Sequence, residues 1–175
     1  MKKQWIAALL TMGFVVSGSA QAAVKDWLPK PAANTTGLKK VYAGVGITNE
    51  LYHLNTEIPT GYGNMYVKLG AFIDGPDEPA GQIGFRYPYF LTGTDKNGYY
   101  FGGFLGHVET RTIDSKKENR LGAGGELSYV WMNSSRVSVA SIGIGVGEGK
   151  KDRSGNKEDS KPMIMFGYSF NFGIY

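Results

Sequence analysis

His53 and His107 are the only imidazoles among the 175 residues, and they bound the acid–base chemistry open to the chain. Nucleophilic catalysis needs a Ser or Thr hydroxyl beside a histidine that a carboxylate orients. His107 and Glu109 stand two apart, and on a strand residues i and i+2 share a face. They are the candidate pair for such a site, with Thr110 or Ser115 supplying the hydroxyl. The plainer reading of His107 is a strand-end histidine satisfied by a neighbour. The run His53-Leu54-Asn55-Thr56 offers no comparable spacing. Two isolated histidines, with no His-x-His or His-x-x-His, make no zinc site. The chain has no Cys, which excludes disulfides, thiolate metal sites and a catalytic thiol. The glycine-rich stretches Gly122–Gly125 and Gly143–Gly147 lack the lysine and the following helix of a phosphate loop. The residues imply no metal and no cofactor.

A second constellation is Lys68, Arg86 and Glu126. Each lies in mid-segment, on the face that otherwise carries small or polar residues. A buried charge must be paired and hydrogen-bonded, or it costs several kcal/mol. Glu126 is therefore expected to pair with Arg86 or Lys68. Two cations against one anion leave a charge to balance, and His53, Glu57, Tyr66, Asn171 or water are the groups that could complete the network. The structural reading is a salt-bridged plug; the competing one is an ion path.

The elements that must hold these residues are strands. From Ile164 to Phe172 every second residue is large and apolar or aromatic, and Gly167, Ser169 and Asn171 are interleaved. Period-two alternation marks a strand with one greasy face. Seven further candidates precede it, over 40–48, 51–58, 64–73, 81–91, 99–109, 120–131 and 136–147. The second has the weakest pattern. The fifth is ambiguous in facing, with Phe101 and Leu105 favoured outward. In the seventh the alternation slips near Val139, which suggests a bulge or a change at the rim. Many of the 26 Gly fall on the faces that carry the mid-strand charges, where small residues make room for larger neighbours.

The connections alternate in character. After the second, fourth and sixth strands come 59–63, 92–98 and 132–135. After the fifth and seventh come long charged stretches, Thr110–Asn119 and Glu148–Ser160, with Lys116, Lys117, Lys150, Lys151 and Arg153. Met1–Ala22 has the plan of a secretory signal: Lys2 and Lys3, an apolar run, then Ser19-Ala20-Gln21-Ala22. Cleavage after Ala22 leaves 153 residues and lowers the net charge from +4 to +2. That balance gives no case for nucleic acid. Residues 23–37 read as an irregular periplasmic lead-in and 38–175 as one β-domain.

With these features the chain resembles the small outer-membrane β-barrels of Gram-negative bacteria. The resemblance implies an all-β, eight-stranded antiparallel up-and-down transmembrane β-barrel, with short periplasmic turns and charged extracellular loops. It places Tyr87, Tyr89, Tyr129, Trp131, Phe166, Tyr168, Phe170 and Phe172 toward lipid, with aromatics enriched at the membrane interfaces. Eight strands leave an interior just wide enough for side chains to fill. The partners implied are outer-membrane lipid and lipopolysaccharide, and the barrel-assembly machinery during biogenesis. Members commonly end on an aromatic residue in phase with the outward series; here Tyr175 is aromatic, but the phase is that of Phe172. The expected role is structural or surface interaction. The alternatives are an enzyme acting on lipid A and a narrow solute channel.

Overall fold

The computed structural model describes residues 35–89, 96–113, 116–151, 157–158 and 161–175. In chain order the strands are β1 (Tyr42–Thr48), β2 (Leu51–Thr60), β3 (Gly63–Phe72), β4 (Pro79–Pro88), β5 (Gly98–Ile113), β6 (Lys116–Met132), β7 (Arg136–Gly147), β8 (Lys150–Lys151), β9 (Lys157–Glu158) and β10 (Pro162–Gly173). Each barrel strand pairs antiparallel with its chain neighbours. β10 closes the ring on β1, from Tyr42↔Gly173 to Thr48↔Gly167. The molecule is thus an all-β, closed, eight-stranded antiparallel barrel, with β8 and β9 forming a separate small ladder.

Strand periodicity sorts the residues by face. Leu54, Leu69 and Leu105 point out and are 67%, 62% and 62% exposed, whereas Arg86 and Glu57 point in at 1% and 0%. The apolar side chains therefore cover the outside, and the buried polar ones fill the inside. The weakly patterned second strand is fully formed: Leu51, His53, Asn55 and Glu57 face in, Tyr52 and Leu54 face out. On β5 the favoured facing is the observed one, with Phe101 and Leu105 outside and Gly102 and Gly106 less exposed between them.

Three expectations change. Thr110–Asn119 is for the most part not a loop. β5 and β6 continue as a ladder through Arg111↔Glu118 to Ile113↔Lys116, because Thr110, Thr112 and Ile113 are good strand formers despite the surrounding charge. Of the two readings of the slip at Val139 the bulge is excluded, since β7 keeps unbroken register with both neighbours. Val137 and Val139 simply point inward, into an apolar layer with Tyr42, Tyr100, Val130 and Met132. The register shift lies instead in β5, between His107 and Glu109. At the chain end, Val41 N–H donates to the Tyr175 carbonyl and Ile174 N–H to the Val41 carbonyl, both at 2.9 Å, so pairing runs past Phe172.

The interior is layered along the strands. The layer around Tyr42 and Tyr100 fills the end carrying Tyr175, here the terminal rim. Beyond the charged middle, Tyr66, Phe104, Val108 and Met165 form a second apolar cluster, and Leu51, Phe72 and Ala80 a third. Glycine makes the space: a Cβ on Gly84 would enter the Tyr66 ring, and one on Gly124 the Phe104 ring.

Candidate functional site

The middle of the lumen is built from β2, β3, β4 and β6. Arg86 comes from β4, and its inward phase follows from Ile83 and Phe85 facing out. Its Nη1 donates to both Glu57 oxygens, at 3.0 and 2.9 Å. Its Nε donates to Ser128 Oγ at 3.2 Å and lies 2.8 Å from Glu126 Oε1. Asn64 Nδ2 donates to Glu57 Oε1 at 3.2 Å. The guanidinium carbon sits 3.8 Å from the centre of the Tyr66 ring, a cation–π contact in a water-poor place.

Lys68 is held differently. Its Nζ donates to Gln82 Oε1 at 3.3 Å and lies 4.9 Å from the Tyr66 ring centre. Gln82 Nε2 in turn donates to the His107 carbonyl at 2.7 Å. Of the two cations weighed for Glu126, Arg86 is the one in contact. Glu57 is the balancing anion, so the layer holds two cations and two carboxylates. Asn171, another group considered for the network, accepts from Asn55 Nδ2 at 3.0 Å through its Oδ1. Glu57, Asn64, Ser128 and Gln82 all carry the inward phase of their strands. What the sequence lacks is which inward residues meet across the lumen, because Glu57 and Arg86 lie two strands apart.

The ladder does not bring His107 and Glu109 onto one face. The register shift between them breaks the i, i+2 rule: His107 is opposite the outward Leu121, and Glu109 opposite Arg120, which is 0% exposed. His107 Nδ1 accepts from the Gly81 N–H at 3.0 Å, and its ring meets Phe72 edge-on at 5.8 Å. Glu109 Oε2 accepts from Arg111 Nε at 3.0 Å, and its Oε1 lies 3.8 Å from Arg120 Nη1. Thr110 Oγ1 donates to the Asp74 carbonyl at 2.9 Å, and Ser115 lies outside the described residues.

The loop rim, opposite the terminal one, is laced by side chains. Lys117 pairs with Asp74, and Asn119 Nδ2 donates to Glu78 Oε2 at 2.7 Å. Burial, with Glu109 and Asp74 nearby, pushes the Glu50 carboxyl above its ordinary range, opposed by a hydrogen bond with the Thr110 backbone. The backbones of Lys116, Lys150 and Lys151 lie in β6 and β8; Arg153 lies outside the described residues. Among the described residues no group of three or more His, Cys, Asp or Glu could hold a metal ion, and no helix is long and apolar enough to cross a membrane.

The outward aromatics gather toward the terminal rim. Tyr89 meets Phe101 at 5.4 Å between ring centres, Tyr99 meets Tyr129 at 5.0 Å, Tyr129 meets Trp131 at 4.6 Å, and Phe170 meets Phe172 at 4.9 Å. Tyr87 stands opposite Phe101. Phe166 and Tyr168 lie farther up β10, where the Phe166 N–H donates to Asn49 Oδ1 at 3.1 Å, beside the β1–β2 turn. Tyr99 belongs to this array, and its outward phase is readable from Phe101 two residues on.

No known protein family, no curated protein and no solved structure matches the chain.

Proposed function

We propose that this is an exported outer-membrane barrel without catalytic activity, plugged along its lumen, whose role is structural or is exerted through the charged loop rim. The observation that carries the reading is the inside-out distribution: aliphatic and aromatic side chains cover the outside of a closed ladder, and charged, amide and glycine residues lie within. A closed ladder leaves no backbone edge, the condition for crossing hydrocarbon with strands. The apolar layers on either side of the charged middle interrupt any polar column, which favours a plug over a channel. The enzyme alternative loses its dyad to the β5 register shift.

Three partners follow from the membrane reading: lipid around the barrel, lipopolysaccharide at the loop rim, and the assembly machinery during insertion. Electrophoresis in detergent, unboiled and boiled, tests the barrel. The expected result is a change in apparent size on heating. Release of the protein from cells by salt alone, with no detergent, would overturn the reading.

A further inference from the structure

We propose that residues 35–41, the stretch leading into β1, form a clasp that holds the β1–β10 seam shut from across the mouth of the barrel, a role that needs the closed ladder but not a membrane. β1 is the strand with most need of one. It has 7 residues, against 10 or more in every other barrel strand. Its seam with β10 joins the first strand to the last, so the ladder alone holds it, whereas every other neighbouring pair is also joined by a chain connection. Parting the seam would bare two strand edges.

The contacts of the segment trace a path over the mouth at the terminal rim. Lys39 N–H donates to Tyr42 Oη at 3.0 Å, and that hydroxyl donates to the Asn133 carbonyl, in the β6–β7 turn, at 2.7 Å. The Lys39 stem passes the end of β10 so closely that a Cβ on Gly173 would meet both it and the Ser134 carbonyl. Leu38 packs on the inward layer of Tyr42, Tyr100, Val130, Met132, Val137 and Val139. Leu38 N–H then returns to the Thr35 carbonyl at 3.0 Å, in a turn where Gly37 takes φ +73°, a conformation that suits glycine. The Thr36 carbonyl accepts from Lys96 Nζ at 2.6 Å, in the turn before β5. β5 stands straight across the ring from β1, with β10, β7 and β6 between them on one side and β2, β3 and β4 on the other. The segment therefore spans the mouth, and its far end is tied to an element that shares no ladder with the seam. For β1 to leave β10 it must carry the segment with it, which strips Leu38 from its layer and breaks the Lys96 contact. An apolar burial and a hydrogen bond then oppose opening.

The test is hydrogen exchange of the refolded mature chain in detergent, read on peptides covering β1 and β10, with β3 and β6 as the reference. Leu38→Ser should speed exchange in β1 and β10 by about tenfold. Lys96→Met should speed it by about twofold or more, and Lys96→Arg, which keeps a charged donor, should stay near the parent. β3 and β6 should be unchanged in all three. Lys96 lies across the ring from β1, so an effect of its side chain on the seam has to travel through the clasp. A Leu38→Ser chain that does not refold leaves the decision to Lys96→Met, which alters a turn outside the barrel ladder. Seam exchange unchanged in Lys96→Met overturns the clasp. Equal acceleration in all four strands overturns it as well, leaving 35–41 as a general stabiliser of the barrel.

Discussion

Arg86 on β4 and Glu57 on β2 grip each other over the intervening strand, with Nη1 within 3.0 Å of both carboxylate oxygens. No hairpin forces this contact; only closure of the sheet brings the two residues together. The pair is a fastener of the tertiary fold, and Glu126 and Ser128 extend it to β6.

Removing different members of this group should therefore have unequal effects. Arg86→Met strands two buried carboxylates, while Glu57→Gln leaves Arg86 in contact with Glu126 and keeps an acceptor for Asn64. Breaking a buried pair from one side costs about 3–5 kcal/mol. Arg86→Met is expected at or above that range and Glu57→Gln below it. Urea unfolding in detergent, followed by Trp131 fluorescence in a Trp27→Phe background, gives the order. A milder effect for Arg86→Met would mean that the carboxylates find other partners.

The glycines divide into two kinds. A Cβ on Gly84 would enter the Tyr66 ring that covers the Arg86 guanidinium, whereas one on Gly103 meets nothing nearer than the Gly124 carbonyl at 3.7 Å. Gly84→Ala is expected to lose about 1–3 kcal/mol by overpacking. Gly103→Ala should be neutral or gain up to about 1 kcal/mol from reduced freedom of the unfolded chain. The fraction of protein migrating as the heat-sensitive form reports both. Equal losses at the two positions would show that strand flexibility, and not lumen space, selects glycine.

Much of this fold is written locally. The faces of β3, β4, β6 and β10 follow from alternation at Met65–Phe72, Ile83–Tyr87, Leu121–Trp131 and Ile164–Phe172, because a strand's period depends on nothing distant. Arg86 and Glu126 were readable as inward charges for the same reason. Two things were not. Inward Val137 and Val139 look like a phase error unless the lumen is known to hold an apolar layer at that height. The β5 register shift has no sequence mark of its own: Gly106, at φ +137°, and Val108 could belong to a regular strand, and only the pairing with β6 shows His107 and Glu109 on opposite faces.

That separation makes the role of His107 testable. Its Nδ1 takes the Gly81 N–H at a height where the β4–β5 ladder, last paired at Gln82↔Gly106, has ended. His107→Ala leaves that N–H without its acceptor, a loss of about 1–3 kcal/mol. The expected result is a less stable barrel with the lipid A acyl pattern of the cells unchanged, read by mass spectrometry. A changed acyl pattern that depends on His107 in a folded barrel would restore the enzyme reading.

The layered lumen makes a last prediction, about conduction. A solute path needs polar surface at every height, and here the Tyr42–Tyr100–Val137 layer lies on one side of the ion pairs and the Phe104–Val108–Met165 cluster on the other. Lys68→Ala removes a charge from the middle and takes the ammonium off the Tyr66 ring, but leaves Phe104, Val108 and Met165 in place, so it should leave planar-bilayer current at baseline, as in the parent. Tyr100→Ala/Val137→Ala empties part of the layer at the terminal rim but still leaves Phe104 and Met165 across the path. It too should stay closed while losing stability, since emptying a core of a large side chain costs about 3–5 kcal/mol. Only a combination that also truncates Phe104 removes both barriers, and steps should appear there first. Reproducible steps from the parent, abolished by Lys68→Ala or Arg86→Met, would mean that water threads the charged layer despite its neighbours, and the barrel would have to be read as a channel.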